Sequence, residues 1–421
     1  MSLAPRVSAL APFRIRAFRY QWPADLTTSW AFEMETLILG WYVLVETGSV
    51  LLLTVFVSLQ HIGTLIAPMF GVMGDRFGHR NVLCAMRTFY ALLASTLMSF
   101  TFMGELTPVH VFIIAGLMGL VRPSDMGMRA ALVADTMPRA QLIGAMSIQR
   151  TTQDSAKVAG ALTGAGLVAF LGMGPAYLAV ASFYAISVML TLKAGTARPA
   201  PRATQEAGST PARPSVWRDL REGLSYVRRT PHLLGLMCLA FLLNLTAFPL
   251  FNGLLPYVAR EVYHTDQTGL GYMVAGGAFG ALMMAIVLSR FGNRFPPGRL
   301  TIAGCLLWFS SLLVFANMPQ HLPGIAILFL AGCAQSVATV PMVAVLLRAS
   351  NEQFRGRVMG IRMLAIYGNV PGLLIAGQLI GQLGYPLTAS LYCLFGLTFT
   401  LLIAFAWRRH LWQHDAPANA R

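Results

Sequence analysis

Charged residues are scarce in this sequence. Its 421 residues include 31 Lys and Arg and only 16 Asp and Glu, so 11% of the chain is charged while 56% is hydrophobic. A soluble globular protein carries about 25% charged residues, so this composition excludes an ordinary soluble domain. The mean hydropathy of +0.62 agrees, and we expect a chain that lies mostly within a lipid bilayer.

Cysteine is also rare, and its spacing excludes two kinds of site. The five cysteines stand singly in apolar segments, without the Cys-x-x-Cys spacing typical of zinc and redox sites. We therefore expect small core residues rather than disulfides or metal ligands. The sequence also lacks a Gly-rich phosphate loop, a nucleophile elbow and a ligand cluster at metal-binding spacing. We accordingly predict no metal, no cofactor and no enzymatic activity.

Long apolar stretches are what the sequence does contain. Stretches of about 20 residues, the length that a transmembrane helix needs, recur along the whole chain, and we count twelve. Backbone groups in lipid must form their hydrogen bonds within the segment, so we expect these spans to be helical. The predicted fold class is therefore an all-α integral membrane protein with twelve transmembrane helices.

One polar stretch divides these spans into two groups of six. Residues 195–216 are rich in Pro, Ala, Ser and Arg, which indicates a disordered linker. The apolar residues of the next segment share one face of a short amphipathic helix suited to a membrane surface: Trp217, Leu220, Leu224 and Val227. We predict an N-terminal six-helix bundle at 1–194, a cytoplasmic linker with this helix at 195–232, and a C-terminal bundle with a short tail at 233–421.

The net charge of +15 follows from where the basic residues lie. Lys and Arg concentrate in both terminal tails and in the even-numbered connections, whereas Arg260 stands alone on the opposite side. The positive-inside rule then places both termini in the cytoplasm. The basic surplus faces anionic lipid headgroups, so we predict membrane lipids as partners and no nucleic acid.

A charged hairpin joins the second and third spans. It resembles the G-x-x-x-D-R-x-G-R-R signature of the major facilitator superfamily of secondary transporters, with His79 in place of a basic residue. The resemblance implies two pseudo-symmetric bundles around a midplane site and a cytoplasmic gate, in which Asp75 meets the start of the eleventh span. The residues of this predicted gate are Gly71, Asp75, Arg76, Gly78, Arg80, Arg355 and Arg357.

Further segments resemble one branch of this superfamily, the branch of enterobactin-type siderophore exporters and macrolide-type drug exporters. They are Thr47-Gly48-Ser49, Arg129–Asp135, the amphipathic segment Arg218–Arg229, and Arg355–Gly360. The resemblance implies a monomer in the bacterial inner (plasma) membrane that exports small siderophore- or drug-like molecules by proton antiport. The alternatives within the fold are an importer or a lipid flippase, and the alternative outside it is a non-transporting membrane receptor or scaffold.

Charges within the spans concentrate in the first half, where each one needs a partner or a function. Each of two spans carries three on one face: Arg122, Asp125 and Arg129 in span four, and Arg150, Asp154 and Lys157 in span five. Counted outward from the loop between these antiparallel spans, Arg122 comes level with Asp154. Asp125 comes level with Arg150 in the same way. We therefore predict two interhelical ion pairs, which leave one cation of each span, Arg129 and Lys157, unpaired.

These ion pairs either only join the two spans or also take part in binding. By resemblance, span four lines a central cavity, and Lys157 points either to that cavity or to a lipid headgroup. Acids in span one favour cationic substrates, whereas Arg122 and Arg129 favour anionic ones. The candidate cavity residues are Arg122, Asp125, Arg129, Lys157, Asn244, Asn252 and Gln335.

Span one carries the candidates for proton coupling, which are Asp25, Glu33 and Glu35. Glu33 and Glu35 lie about 200° apart around a helix, so we expect one of them to meet a neighbouring cation and the other to titrate. A carboxyl group in a low-dielectric environment is more easily protonated, as a proton carrier requires. Asp25 lies nearer the cytoplasmic face, where we expect it to be solvated.

Overall fold

The structure is a computed structural model that describes residues 11–194, 216–292, 295–350 and 354–408. All regular secondary structure in these ranges is helical. Nine of the described helices are long and apolar enough to cross a membrane, and the bent pair Val50–Thr64 and Met69–Phe77 makes a tenth candidate. These observations confirm the all-α membrane fold, and the predicted number of twelve spans is compatible with them.

Seven helices build the first half of the chain. They are α1 (Arg16–Thr47), α2 (Val50–Leu59), α3 (Ala67–Phe77), α4 (His79–Met103), α5 (Pro108–Thr136), α6 (Arg139–Leu171) and α7 (Met173–Lys193). Helices α2 and α3 are the two parts of the bent second span. Helices α1 and α6 are long enough to span, at 32 and 33 residues, but they are less apolar than the others because they carry many of the acids and amides of this half.

Nine further helices build the second half. They are α8 (Val216–Arg229), α9 (Pro231–Leu242), α10 (Leu255–Tyr257), α11 (Gln267–Phe291), α12 (Pro297–Ala316), α13 (His321–Ala349), α14 (Arg355–Ala365), α15 (Asn369–Leu383) and α16 (Tyr385–Ala406). Helix α8 is the predicted amphipathic helix. In that helix Val227 is buried and Leu224 is exposed, so the predicted apolar face is shared between the protein and its surroundings. The linker residues 195–215 and the side chains of Trp217 and Leu220 lie outside the described residues.

The seventh span is irregular because proline interrupts its hydrogen bonds. Between α9 and α11 the chain forms three π-helical segments, Leu243–Ala247, Pro249–Gly253 and Val258–Val262. Proline has no backbone N–H to donate, and π-turns are among the local adjustments that satisfy the backbone groups that a proline leaves free in a membrane helix. Pro249 and Pro256 lie in this stretch.

The chain forms two compact units. The first comprises Met1–Glu46 with Leu59–Ser209, and the second comprises Thr47–Ser58 with Thr210–Arg421. The N-terminal part of the second span therefore belongs to the second unit. There Thr54 of α2 lies so close to α15 that a Cβ atom added to Gly377 would be 2.4 Å from its Oγ1 atom.

Helices of the second unit pack through direct backbone contact. A Cβ atom at Gly280 of α11 would lie 2.0 Å from the Phe329 carbonyl oxygen of α13, and one at Gly332 of α13 would lie 2.0 Å from the Gly277 carbonyl oxygen. Small residues allow membrane helices to approach this closely. Nearby, Trp308 is fully buried and meets Phe248 edge-on at a centroid distance of 5.1 Å.

Candidate functional site: a buried polar network in the first unit

The first unit buries a network of charged side chains, and Asp25 of α1 is at its centre. The Asp25 side chain is buried, pairs with Arg87 of α4 and accepts a hydrogen bond of 3.0 Å from Gln149 Nε2 of α6. Arg87 is fully buried and also donates to the Thr191 hydroxyl of α7. The expectation that Asp25 is solvated is therefore wrong, because Arg87 provides a buried partner on a neighbouring helix.

Arg129 of α5 belongs to the same network. Its guanidinium donates to the Asp25 carbonyl oxygen at 3.0 Å and to Ser29 Oγ at 2.7 Å. It also pairs with Asp125, one turn earlier on its own helix, and its Nε atom lies 3.8 Å from Asp25 Oδ1. The prediction that Arg129 stays unpaired is therefore wrong. The described network holds two acids, Asp25 and Asp125, and two cations, Arg87 and Arg129, so its charges balance.

The two predicted interhelical ion pairs, Arg122–Asp154 and Asp125–Arg150, do not form. Asp125 instead pairs with Arg129, and Asp154 pairs with Arg150 at an Nε–Oδ2 distance of 3.2 Å. Both observed pairs join residues four apart on one helix, which lie next to each other on its surface. A shared depth along two helices does not fix how each helix is rotated, and rotation decides which side chains meet.

Arg122 of α5 contacts neutral groups. Its Nη1 atom donates to Thr36 Oγ1 at 2.9 Å and to Gln60 Oε1 at 2.7 Å. The guanidinium carbon lies 4.4 Å from the centroid of the Phe32 ring, within the range of a cation–π contact. No carboxylate of the described residues forms an ion pair with this partly buried cation. Lys157 of α6 is exposed and also has no acidic partner among those residues.

Glu35 of α1 is a buried acid without a cation in contact. Its Oε2 atom accepts a hydrogen bond of 2.9 Å from the Tyr184 hydroxyl of α7. Its Oε1 atom is buried and has no hydrogen-bond partner in the described part of the chain. The hydroxyl groups of Tyr90 and Tyr177 are buried without a partner in the same part.

Glu33 lies on another face of α1. It is partly buried against α6, where a Cβ atom at Gly160 would lie 2.6 Å from the Glu33 Cβ atom. Within the described residues Glu33 forms no hydrogen bond and no ion pair. The expectation that Glu33 or Glu35 pairs with a neighbouring cation is wrong for this part of the chain, because Arg87 and Arg129 pair with Asp25 and Asp125 instead.

The charged hairpin ties four helices of the first unit together. Gly78 adopts a φ of 86° between α3 and α4, a conformation that favours glycine. Arg80 donates to the last carbonyl groups of α7, those of Thr191 and Leu192, where a cation suits the helix C-terminus. His79 meets Asp135 of α5 at 2.6 Å and lies 3.9 Å from Asp75.

The other predicted gate residues have their own surroundings. Arg76 is exposed, and Gly71 has open space around its Cα atom. Arg357 of α14 pairs with Glu222 of α8 at 2.8 Å within the second unit. The side chain of Arg355 lies outside the described residues.

The candidate cavity residues of the second half are separate from one another. Asn244 donates to the Ala240 carbonyl oxygen of its own span at 2.8 Å, Asn252 is exposed in a π-helical segment, and Gln335 is partly buried on α13. No hydrogen bond joins any two of the three in the described structure. These three positions therefore do not form a polar cluster in the described part of the second half.

Sequence reasoning missed Arg87, Gln149 and the tyrosines. Arg87 carries the same signal as the other intramembrane charges, a cation within an apolar span, so the sequence could have shown it. Gln149 and Tyr184 give no such signal, because a polar or aromatic side chain in a membrane helix is often found outside any site. Chemically, the unit offers a carboxyl group with a free acceptor atom, Glu35, and a partly buried cation with neutral partners, Arg122.

Comparisons with known proteins agree with this architecture. The solved structure of the POT family transporter PepTSo has a TM-score of 0.71 at 13% identity and covers 94% of this chain and 98% of that chain. The MFS-type transporter YuxJ of Bacillus subtilis (strain 168) is 25% identical over 359 residues, which are 83% of this chain and 84% of YuxJ. A multidrug resistance efflux pump PmrA homologue of Lactococcus lactis is 22% identical over 326 residues, 76% of each chain.

The match to a protein family covers nearly the whole sequence. Residues 7–418 match the family described as transmembrane secretion effector. The similar proteins are transporters rather than enzymes. The chain therefore belongs to the transmembrane secretion effector family of the major facilitator superfamily, and it is a membrane transporter.

Proposed function

We propose that the protein is a proton-coupled exporter of small siderophore- or drug-like molecules. Its direction is inferred from the relative in Lactococcus lactis, which is named as a multidrug efflux pump. Its transport cycle would be alternating access, in which two repeats rock around a midplane site. We further propose that it works as a monomer in the bacterial inner membrane. Both termini would lie in the cytoplasm, because the basic residues follow the positive-inside rule.

Proton coupling is supported by the surroundings of Glu35. A charged carboxylate needs compensating partners when it is buried, and Glu35 has one donor, Tyr184, and no contacting cation among the described residues. The neutral, protonated form avoids the cost of a buried charge that no partner compensates. A group that is stable in the neutral form and can be charged when its surroundings open is suited to carry a proton. Glu33, partly buried on the same helix, is the second candidate, whereas Asp25 is committed to Arg87.

The hairpin at 71–80 is proposed to serve as the cytoplasmic gate. This proposal is supported by the contacts that fix the turn within the first unit. Arg80 binds carbonyl groups of α7 and His79 binds Asp135 of α5. Asp75 remains exposed, with 55% of its side chain accessible. An exposed anion on a fixed turn can bind the positive N-terminal end of a helix, which is the role that we propose for Asp75.

Everted membrane vesicles that contain the protein test the proton coupling. We would acidify the vesicle interior, add a panel of drug-like compounds of different charge, and follow the interior pH with acridine orange. An exporter that exchanges protons for substrate should release interior protons when a substrate is added. Glu35→Gln should abolish this release, and Glu33→Gln should reduce it at most.

Glu46→Gln is the matched control, because Glu46 is exposed at the far end of the same helix. Normal proton release by Glu35→Gln, Glu33→Gln and the double variant would show that neither acid carries the proton. Accumulation in right-side-out vesicles would identify an importer, and movement of labelled lipid between leaflets a flippase. Binding without any flux would favour a receptor or scaffold.

A further inference from the structure

Most of the acids within the spans of the first unit already have a partner. Asp25 and Asp125 are compensated by Arg87 and Arg129, and Asp154 is compensated by Arg150. These acids are not available to bind a cationic molecule. Glu35 is buried and bonded to Tyr184, so it is also poorly placed to meet a charged ligand. Glu33, on the same helix, has no partner in the described residues, but it is packed against α6 at Gly160, and we have proposed it as the second proton carrier.

Among the described cations of α5 and α6, Arg122 and Lys157 form no ion pair with an acid. Lys157 is exposed, and a long lysine side chain in that position can extend to water or to a lipid headgroup. Arg122 cannot do so, because its guanidinium is held over the Phe32 ring and bonded to Thr36 and Gln60. An ionisable residue within the membrane that has no partner of opposite charge is by default a candidate for a functional site.

The hydrogen bonds of Arg122 leave part of its guanidinium unused. Nη1 serves Thr36 and Gln60, and Nη2 reaches the Phe32 carbonyl oxygen at 3.4 Å. The N–H group on Nε and one N–H group on Nη2 have no acceptor in the described part of the chain. A guanidinium has five N–H donors in a planar fork that matches the two oxygens of a carboxylate.

We propose that Arg122 binds the carboxylate of the substrate, so that the transported molecules are organic anions rather than cations. This inference rests on the proposed transport function and gives it a substrate class. Phe32 holds the guanidinium plane from one side, and Thr36 and Gln60 fix its direction. The rings of Tyr90 and Tyr184 lie 5.1 and 5.7 Å from the Phe32 ring, so the cation lies at the edge of an aromatic cluster.

The test compares acids with neutral amides of the same shape. Purified protein in lipid nanodiscs at pH 7 is titrated with three pairs: benzoate and benzamide, 2-naphthoate and 2-naphthamide, and pyrenebutyrate and pyrenebutyramide. Binding is measured by calorimetry. For at least one pair we expect the acid to bind about 10-fold or more tightly than its amide, as for a hydrogen bond to a charged group.

The Arg122 variants then assign the preference to this residue. Arg122→Gln should bring acid and amide within about 2-fold of each other, and Arg122→Lys should keep part of the preference because it keeps the charge without the fork. Arg150→Gln is the matched control, since Arg150 is a mostly exposed cation that pairs within its own helix. Its preference should equal that of the wild type.

Three results would overturn the proposal. They are equal binding of every acid and its amide, no binding of any acid, and an unchanged preference in Arg122→Gln. If Arg122→Gln does not fold, Arg122→Lys and the wild-type comparison still decide the question. Because the titration uses no pH gradient, it can succeed when proton coupling fails, and it can fail when proton coupling is found.

Discussion

Replacement of Asp25 by Asn would test whether the buried network holds the first unit together. The change keeps the size of the side chain but removes the charge that faces Arg87 and, at 3.8 Å, Arg129. Arg87 then stays fully buried without a negative partner. Loss of one partner from a buried ion pair costs about 3–5 kcal/mol. We expect the lower end of this range, because the Asn oxygen can still accept a hydrogen bond.

The assay is thermal unfolding of the purified protein in detergent. A free-energy loss of about 3 kcal/mol corresponds to roughly 6–12 °C for a unit of this size, at about 2–4 °C per kcal/mol. Glu105→Gln, at an exposed position between α4 and α5, is the control and should melt like the wild type. Arg87→Gln combined with Asp25→Asn should be less destabilised than the sum of the two single changes, by at least about 1 kcal/mol.

The reasoning would be refuted by a melting temperature of Asp25→Asn within about 2 °C of the wild type, on the same conversion. Strict additivity in the double variant would also refute it, because it would mean that the two charges do not interact. Either result would mean that the Asp25–Arg87 pair contributes little to the stability of the first unit.

Two more changes test the packing of each unit in the same melting assay. Asp154→Asn should cost less than about 1 kcal/mol, because its partner Arg150 is 64% exposed, and its effect should add to that of Arg122→Gln within about 0.5 kcal/mol. A larger coupling energy between these two changes would indicate that Arg122 and Asp154 do form an ion pair, contrary to the structure. Gly332→Ala should cost about 1–3 kcal/mol, because its Cβ atom would meet the Gly277 carbonyl oxygen at 2.0 Å. Gly360→Ala is the control, because a Cβ atom at Gly360 would meet nothing within 4 Å, and it should leave the melting temperature unchanged. Equal melting temperatures for the two variants would contradict the close contact between Gly332 and Gly277.

The helical architecture could be predicted from the sequence because apolar length and the need for internal hydrogen bonds determine it locally. The charged faces of α5 and α6 could also be predicted, because residues three and four apart on a helix share a face. The partner of each charge could not. Asp125 has a cation within its own helix, and Asp25 has one on α4, so the choice depends on the rotation of each helix.

The allocation of α2 to the second unit was also beyond the sequence. Residues 47–58 are as apolar as the rest of the second span, and their composition says nothing about which helices they contact. The contact between Thr54 and Gly377 joins positions more than 300 residues apart. Such a contact depends on the assembled fold rather than on any local pattern.

The buried network also has a consequence for how the chain enters the membrane. An acidic side chain near the centre of a helix opposes insertion by about 2.5–3.5 kcal/mol on translocon-based scales, and α1 carries Asp25, Glu33 and Glu35. The partner that compensates Asp25, Arg87, is synthesised some sixty residues later, and Gln149 later still. Helix α1 is therefore expected to leave the translocon late, together with α4 to α6, rather than as an independent first segment. For this protein, membrane integration and folding of the first unit are expected to be one cooperative event.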